Sequence, residues 1–374
     1  MLGASAALAA GIAGCTAAGS SAPTLSGKTL TIYLSAPASL SRDPQAQDVV
    51  NAEKLAFQQL QGQVTAYRLR LSVLTHDKLS DNARQAIGDT GHAIAYLGEI
   101  LPGDSANSIG ITNAQDVLQV SPTDTAAALT RKTQVVPKSP TKYYESLGTY
   151  GRTFARVVPT TNVEATALVH DMQLRGVKSV FVTGDASEYG RTMASEVRSN
   201  AKGAVTSAPA LTSADALFYG GSNQSAAART FNQAAATNPK LKLYGPSALD
   251  DGTFVAMLSP AARRNLYVSA PGLLPKQLAT TAGTFLATFR SDYGRAPSGE
   301  AVYGYEAMSA VLAVLREAGS SANNRKTVVQ DFFAIRNRSS PLGTYSIDQN
   351  GDTSLGPSAF VIEHGPQLAP IQQG

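Results

Sequence analysis

The residues able to do covalent or metal chemistry are few, and their spacing does not suit it. The four histidines are His76, His92, His170 and His364, and none stands at metal-ligand spacing from another. Cys15 is the only cysteine, so neither an internal disulfide nor a cysteine-rich zinc site can form. No Walker-type phosphate loop, no G-x-G-x-x-G after a strand and no G-x-S-x-G elbow occurs. Ser139-Pro140-Thr141-Lys142 fits S-x-x-K. The accompanying S-D-N and K-T-G elements are missing, and Pro140 sits badly in the helix such a nucleophile needs. Asp348 to Asp352 has the acidic look of a calcium loop, yet Asn350-Gly351 is more simply a hairpin turn. No metal and no cofactor is expected. What remains is hydroxyls, acids and backbone amides, the groups that hold a small polar ligand without reacting with it.

The elements that must position those groups are ordered along the chain. Tyr67 to Leu74 puts Leu69, Leu71 and Val73 on one face and Arg68, Arg70 and Ser72 on the other, a half-buried strand. Ala93–Leu97 and Val117–Val120 are short apolar runs of the kind found in buried parallel strands. Ser179–Thr183, Ala216–Tyr219, Leu241–Tyr244 and Leu266–Ser269 repeat the style. Between them apolar residues recur at helical spacing: Val49, Ala52, Ala56, Leu60; then Ala165, Leu168, Val169, Met172, with Gly176 placed to stop the helix. Leu278, Phe285 and Phe289 mark another helix, and Ala301, Tyr305, Met308, Leu312 and Leu315 a stronger one.

Such alternation predicts an α/β fold with parallel sheets covered on both faces. Ligands then sit beyond the carboxyl ends of the strands. The loops there read Gly98-Glu99, Ser121-Pro122-Thr123-Asp124-Thr125, Gly184-Asp185, Tyr219-Gly220-Gly221-Ser222 and Gly245-Pro246-Ser247.

Size and charge narrow the class. The chain has 374 residues, while single cores stop growing near about 250–300, so two lobes are expected. Lys plus Arg number 31 and Asp plus Glu 27, with no basic run, so nucleic acid is not an expected partner. No charged residue precedes Lys28. Leu2–Ala13 is Ala/Leu/Ile-rich and shorter than the roughly 20 residues a spanning helix needs, so it reads as the apolar part of a secretory signal. It runs into Ile12-Ala13-Gly14-Cys15, which resembles a bacterial lipobox, with Cys15 as the residue to be lipidated. Residues 16–26 read as a flexible tether, and residues 1–27 together as lipoprotein signal and tether.

From about Lys28 to about Glu363 the chain resembles the substrate-binding lipoproteins of ABC importers. The group is the type I periplasmic binding proteins, which includes the Leu/Ile/Val-binding proteins. Val120-Ser121-Pro122-Thr123-Asp124-Thr125 with Leu129-Thr130 is similar to that family's "ISP-x-x-T-x-x-LT". Glu188-Tyr189-Gly190, Phe218-Tyr219-Gly220-Gly221 and Tyr244-Gly245-Pro246 follow in the family's order. Pro341-Leu342-Gly343-Thr344-Tyr345 and Asp348-Gln349-Asn350-Gly351-Asp352 complete it.

The resemblance implies two Rossmann-like lobes with parallel central sheets, joined by three hinge crossovers near Arg156, Pro271 and Pro341. Lobe 1 is then 28–155 plus 272–340, and lobe 2 is 156–271 plus 341–367. It also implies site residues. Thr125 corresponds to the threonine that binds a ligand carboxylate, Asp124 to a position offering a backbone carbonyl, and Tyr189 to a tyrosine lining the pocket from the second lobe. Ser222 falls where an aromatic often stands, and Ser105 is the nearest match to a serine after the third strand. Ser247 replaces the acid that pairs with an amino-acid ammonium in this family. Asp124, Glu99, Asp250 or Asp251 must then supply that charge, or the ligand is not an α-amino acid.

Each of these residues also has a plainer reading. Thr125 could cap a helix starting at Ala126; Asp124 could be a solvated loop acid or another cap; Ser105 could be a helix cap; Tyr189 could pack the interlobe face; Ser222 could be a turn residue.

The implied function is capture of a small polar solute, an amino acid or related compound, by a monomer on the outer face of the bacterial cell membrane. Delivery would be to an ABC permease, without covalent chemistry. Alternatives are a secreted α/β serine hydrolase and the ligand-binding ectodomain of a sensory system.

Overall fold

The computed structural model describes residues 24–144 and 151–371. Cys15, the apolar segment and most of the tether lie outside the described residues, so the lipidation expectation has no structural counterpart here.

The chain opens with strand β1 (Thr29–Ser35), helix α1 (Pro44–Leu60), β2 (Arg68–Leu74), α2 (Leu79–Gly88), β3 (Ala93–Leu97), α3 (Ile109–Asn113), β4 (Leu118–Ser121) and β5 (Phe154–Arg156). These strands form one parallel sheet in the order β2-β1-β3-β4-β5. The order reverses between β1 and β3, so a crevice opens there at the strand ends.

The chain then leaves this sheet. It continues as α4 (Thr161–Leu174), β6 (Ser179–Gly184), α5 (Glu188–Ala201), β7 (Thr206–Ser207), β8 (Ala216–Gly220) and α6 (Gln224–Thr237). β9 (Lys242–Gly245), α7 (Gly252–Ala256), α8 (Pro260–Arg264) and β10 (Leu266–Pro271) follow. It returns to the first lobe as α9 (Pro275–Tyr293), α10 (Ala301–Ala318), α11 (Arg325–Phe333) and the hairpin β11 (Arg338–Ser340) with β12 (Gly343–Tyr345). It ends in the second lobe with β13 (Phe360–His364) and β14 (Ala369–Ile371). The second sheet runs β14-β13-β10-β9-β8-β6-β7. It is parallel from β7 to β10, while β13 and β14 add antiparallel at one edge.

Each lobe buries its own core. In the first, α1 lies along α10, and a Cβ at Gly304 would run into the Val49 carbonyl, so only glycine permits that approach. In the second, Ala165, Leu168 and Met172 of α4 cover one sheet face, and Ala227, Phe231 and Phe254 cover the other. Gly176 follows α4 with φ +70°, the left-handed stop expected of it. Gly351 has φ +89° and its N–H donates to the Asp348 carbonyl, so Asn350-Gly351 forms a turn.

The chain crosses between sheets at 157–160, after Arg156, and at 272–274, after Pro271. The third crossing was expected near Pro341. Leu342, Tyr345 and Ile347 pack in the first core, and Tyr345 donates to Glu306 Oε1 of α10 at 2.7 Å. The segment that joins the second sheet starts at Phe360.

Candidate functional site

The loops after β3 and β4 are stitched together by buried polar groups. Ser121 Oγ donates to the Glu99 carbonyl at 2.6 Å, and the Glu99 N–H donates to Ser105 Oγ at 3.0 Å. The Glu99 carboxyl takes Ser35 Oγ at 2.5 Å and the Tyr96 hydroxyl at 2.6 Å. Burial pushes that carboxyl up to about 7. Both its oxygens are engaged, so Glu99 is a brace beneath the loop.

Asp124 is buried, and its carboxylate accepts three backbone N–H groups: Gly103 at 2.7 Å, Ser105 at 2.9 Å and Ala126 at 3.0 Å. Its carbonyl, expected to face a ligand, instead accepts Arg156 Nη1 at 2.6 Å. Arg156 is 0 % exposed. It also reaches the Ala126 carbonyl at 3.0 Å and pairs with Asp352 at 3.1 Å. Arg131 joins at 2.6 Å, so the hairpin after β12 clamps the loop that carries Thr125. Asp124 and Ser105 therefore set loop geometry, and neither lines the cavity between the lobes. Ser105 lies inside a short 3-10 turn, Asp104–Asn107, and caps no helix. Ala126 precedes another such turn, Ala127–Leu129, with no side-chain cap, so the capping alternative for Thr125 is not what the chain uses.

Thr125, Tyr189 and Ser247 do come together. With them comes Glu164, a residue the sequence reading missed. Glu164 projects from the first turn of α4, fully buried, and its Oε1 accepts the Ser247 N–H and Ser269 Oγ, both at 2.7 Å. Burial raises its carboxyl above the ordinary range, and burial with the Glu164 charge raises the Tyr189 hydroxyl well above its own. Thr125 Oγ1, Tyr189 OH, Ser247 Oγ and Glu164 Oε2 face one another without closing a hydrogen bond of good geometry. Leaving such atoms unpaired costs about 1–3 kcal/mol each, and a clustered set of them is a signature of a site rather than of a core. The missed signal was legible in principle. Glu164 stands four residues before Leu168, on the apolar face of its helix, where a carboxyl is out of place.

A cavity of about 330 Å³ lies between the lobes; of this cluster only Ser247 lines it, while Thr125, Tyr189 and Glu164, like Asp124 and Ser105, do not. The first lobe contributes Asp43, Gln45, Ile100 and Asp104; the second contributes Ser222, Ser247, Asp250 and Asp251. Glu300, just before α10, closes one side. Ser222 is exposed at this rim; its N–H and that of Asn223 donate to Asp185 Oδ2 at 3.0 Å, as a turn residue would. The lobes touch across the cavity through Gln45 Nε2 and Asp250 Oδ2 at 2.9 Å. Behind it the Tyr143 hydroxyl reaches Glu188 Oε2 at 2.6 Å, beside a Lys142–Glu188 ion pair.

Burial pushes Asp104 and Asp250 up to about 7, and burial with the neighbouring Asp250 charge raises Glu363 as well. No group of His, Cys, Asp and Glu among the described residues is arranged to hold a metal ion. Lys142 of the S-x-x-K match is engaged by Glu188, and Ser139 Oγ accepts the Thr133 N–H at 2.9 Å. No helix among the described residues is long and apolar enough to cross a membrane.

No protein-family model matches the chain, and no curated protein does. Solved structures do. A leucine-binding protein LivK from Thermotoga maritima superposes with a TM-score of 0.71 at 18% identity, covering 90% of this chain and 95% of that one. The branched-chain amino acid transporter substrate-binding protein LivJ from Streptococcus pneumoniae, in complex with isoleucine, gives 0.69 at 17%, covering 90% and 96%. An ABC transporter solute-binding protein from R. palustris, in complex with benzoate, gives 0.67 at 17%, covering 92% and 95%. The chain has the fold of these type I periplasmic binding proteins over nearly its whole described length.

Proposed function

We propose that this chain is an extracytoplasmic solute-binding protein. It captures a small polar solute between its lobes and delivers it to an ABC permease, with no covalent step. The observation that carries this reading is the interlobe cavity lined by polar groups of both lobes, with Ser247 joining it to the buried cluster of Thr125, Tyr189 and Glu164. A solute touching both lobes stabilises the closed arrangement, because it binds the open one less well. The permease then reads closure. The likeness in fold to proteins crystallised with isoleucine and benzoate supports solute capture as the use of the cleft. A diacylglycerol on Cys15 would hold the chain, as a monomer, at the outer face of the cell membrane.

The test is a thermal-shift screen with amino acids, amides, amines, polyols and aromatic acids. A cognate solute at one hundred times its Kd adds about 2.7 kcal/mol, a readily visible rise in Tm. A panel in which nothing shifts Tm overturns the reading. In cells, Cys15→Ser moves the chain from the membrane fraction to the soluble one; an unchanged distribution removes the anchor.

A further inference from the structure

The charged residues lining the interlobe cavity are all acidic: Asp43, Asp104, Asp250, Asp251 and Glu300. Among the described residues that line it there is no Lys, Arg or His. Acids alone make no site. Ser247, which also lines the cavity, is 6 % exposed, and its Oγ closes no hydrogen bond. Asp250 is 7 % exposed and stands beside the Glu363 carboxyl, which burial and the Asp250 charge raise, so the two acids share a proton. A cation entering the cavity meets five carboxyl side chains and no competing base.

The opposite half of an amino acid finds nothing comparable. The backbone N–H groups of Gly103, Ser105 and Ala126 converge on one carboxylate, and that carboxylate is the protein's own Asp124. Those three amides are thus already satisfied by an internal anion. A ligand carboxylate would enter a cavity walled by like charges with those donors occupied.

We propose that the cargo is a small organic cation, an amine or guanidinium without a carboxylate, seated in this cavity against Asp250, Asp104 and Ser247. The inference rests on the solute-binding reading above and names the class of its solute. Ile100, Leu101, Pro102 and Ala248 offer the cation an apolar wall. The volume, about 330 Å³, is at the small end of ligand cavities, about 300–1,000 Å³.

Binding is also linked to protons. Burial with the neighbouring Asp124 charge pushes Asp104 up to about 7, and burial raises Asp250 above the ordinary carboxyl range. The groups facing Asp250 are Glu363, Asp251 and Asp43, with the Gln45 amide; Asp124 faces Asp104, and Glu300 faces Asp250 and Asp43. None of these is basic. A cation binds the ionised forms, so affinity rises with pH through that range.

The experiment compares four small probes: leucine, its decarboxylated analogue isoamylamine, its deaminated analogue 4-methylpentanoate, and agmatine. Calorimetry on the intact chain is expected to show an amine or agmatine binding at least tenfold more tightly than leucine, with 4-methylpentanoate not binding. Affinity for the amine is expected to be about tenfold higher at pH 8 than at pH 6, and about tenfold lower in Asp250→Asn. The pH arm uses unmodified protein, so it stands even if the variant fails to fold. Tighter binding of leucine or 4-methylpentanoate than of either cation overturns the cation class and leaves solute capture in place. Amine binding that is indifferent to both pH and Asp250→Asn overturns the placement in this cavity. If no solute of the wider panel binds, both readings fall together.

Discussion

At the residue scale, buried polar groups here fall into two kinds that composition cannot separate. The Asp124 carboxylate and the Arg156 Nη groups are engaged, and every contact they make fixes a loop. Thr125 and Tyr189 are equally buried and have hydroxyls without partners. Stability should tell them apart. Asp124→Asn places an amide NH₂ among N–H donors and is expected to cost about 3 kcal/mol in chemical denaturation. Thr125→Val and Tyr189→Phe remove hydroxyls that close no hydrogen bond of good geometry in the fold, and each is expected to change stability by less than about 1 kcal/mol. Losses from these two comparable to that of Asp124→Asn would show that their hydroxyls serve folding. Near-neutral values leave them free for a solute. The sequence placed Thr125, Tyr189 and Ser247 at the cleft because loops after parallel strands converge there. It could not show that the Asp124 side chain turns inward onto its own loop. That depends on where Gly103 and Ser105 stand in space, nineteen or more residues away in the chain.

At the element scale, the close crossing of α1 and α10 ties the ends of the first lobe's chain together. Gly304 lets α10 reach the α1 backbone at Val49. Gly304→Ala would gain about 1 kcal/mol in helix propensity. The added methyl meets a backbone carbonyl, which cannot turn aside as a side chain can, and overpacking costs about 1–3 kcal/mol. A net loss of about 1–2 kcal/mol is expected in urea denaturation, with the m-value unchanged. A gain would mean that the helices can part at no cost. The elements themselves were legible. Leu69, Leu71 and Val73 alternate and form β2, and the apolar run at 93–97 is β3 with its expected bounds. Helix α4 was found from Ala165, Leu168, Val169 and Met172, yet the same apolar pattern masked Glu164 among them. The antiparallel pair β13 and β14 was not anticipated, because parallel alternation earlier in the chain says nothing about how its last strands return.

At the scale of the whole molecule, the two lobes face each other with acids on both sides. Asp43 and Asp104 stand on the first, and Asp250 and Asp251 on the second. Each carboxyl raised by burial binds its proton more tightly in the closed native state than in the unfolded chain. For Asp104 the ordinary value is 3.8 and the native one about 7. The native state therefore carries the extra proton between those values, and stability contributed by protonation falls as pH rises through that window and is flat above it. Opening relieves the same strain without unfolding, since the charges separate and regain water. The empty protein is thus expected to have a larger radius of gyration at about pH 8.5 than at about pH 6, read by small-angle scattering. At 1 M salt the Debye length is about 3 Å, and the difference should shrink. Two interlobe contacts respond differently. Gln45 holds Asp250 in either ionisation state. The Glu188 carboxyl, held below its usual range by Lys142 and the Tyr143 hydroxyl, stays ionised throughout, so the tie behind the cavity persists while the front parts. An unchanged radius across that pH range, or a smaller one at high pH, would mean that the acids do not govern closure. A larger one reversed by a bound cation would make the solute itself the charge that shuts the cleft.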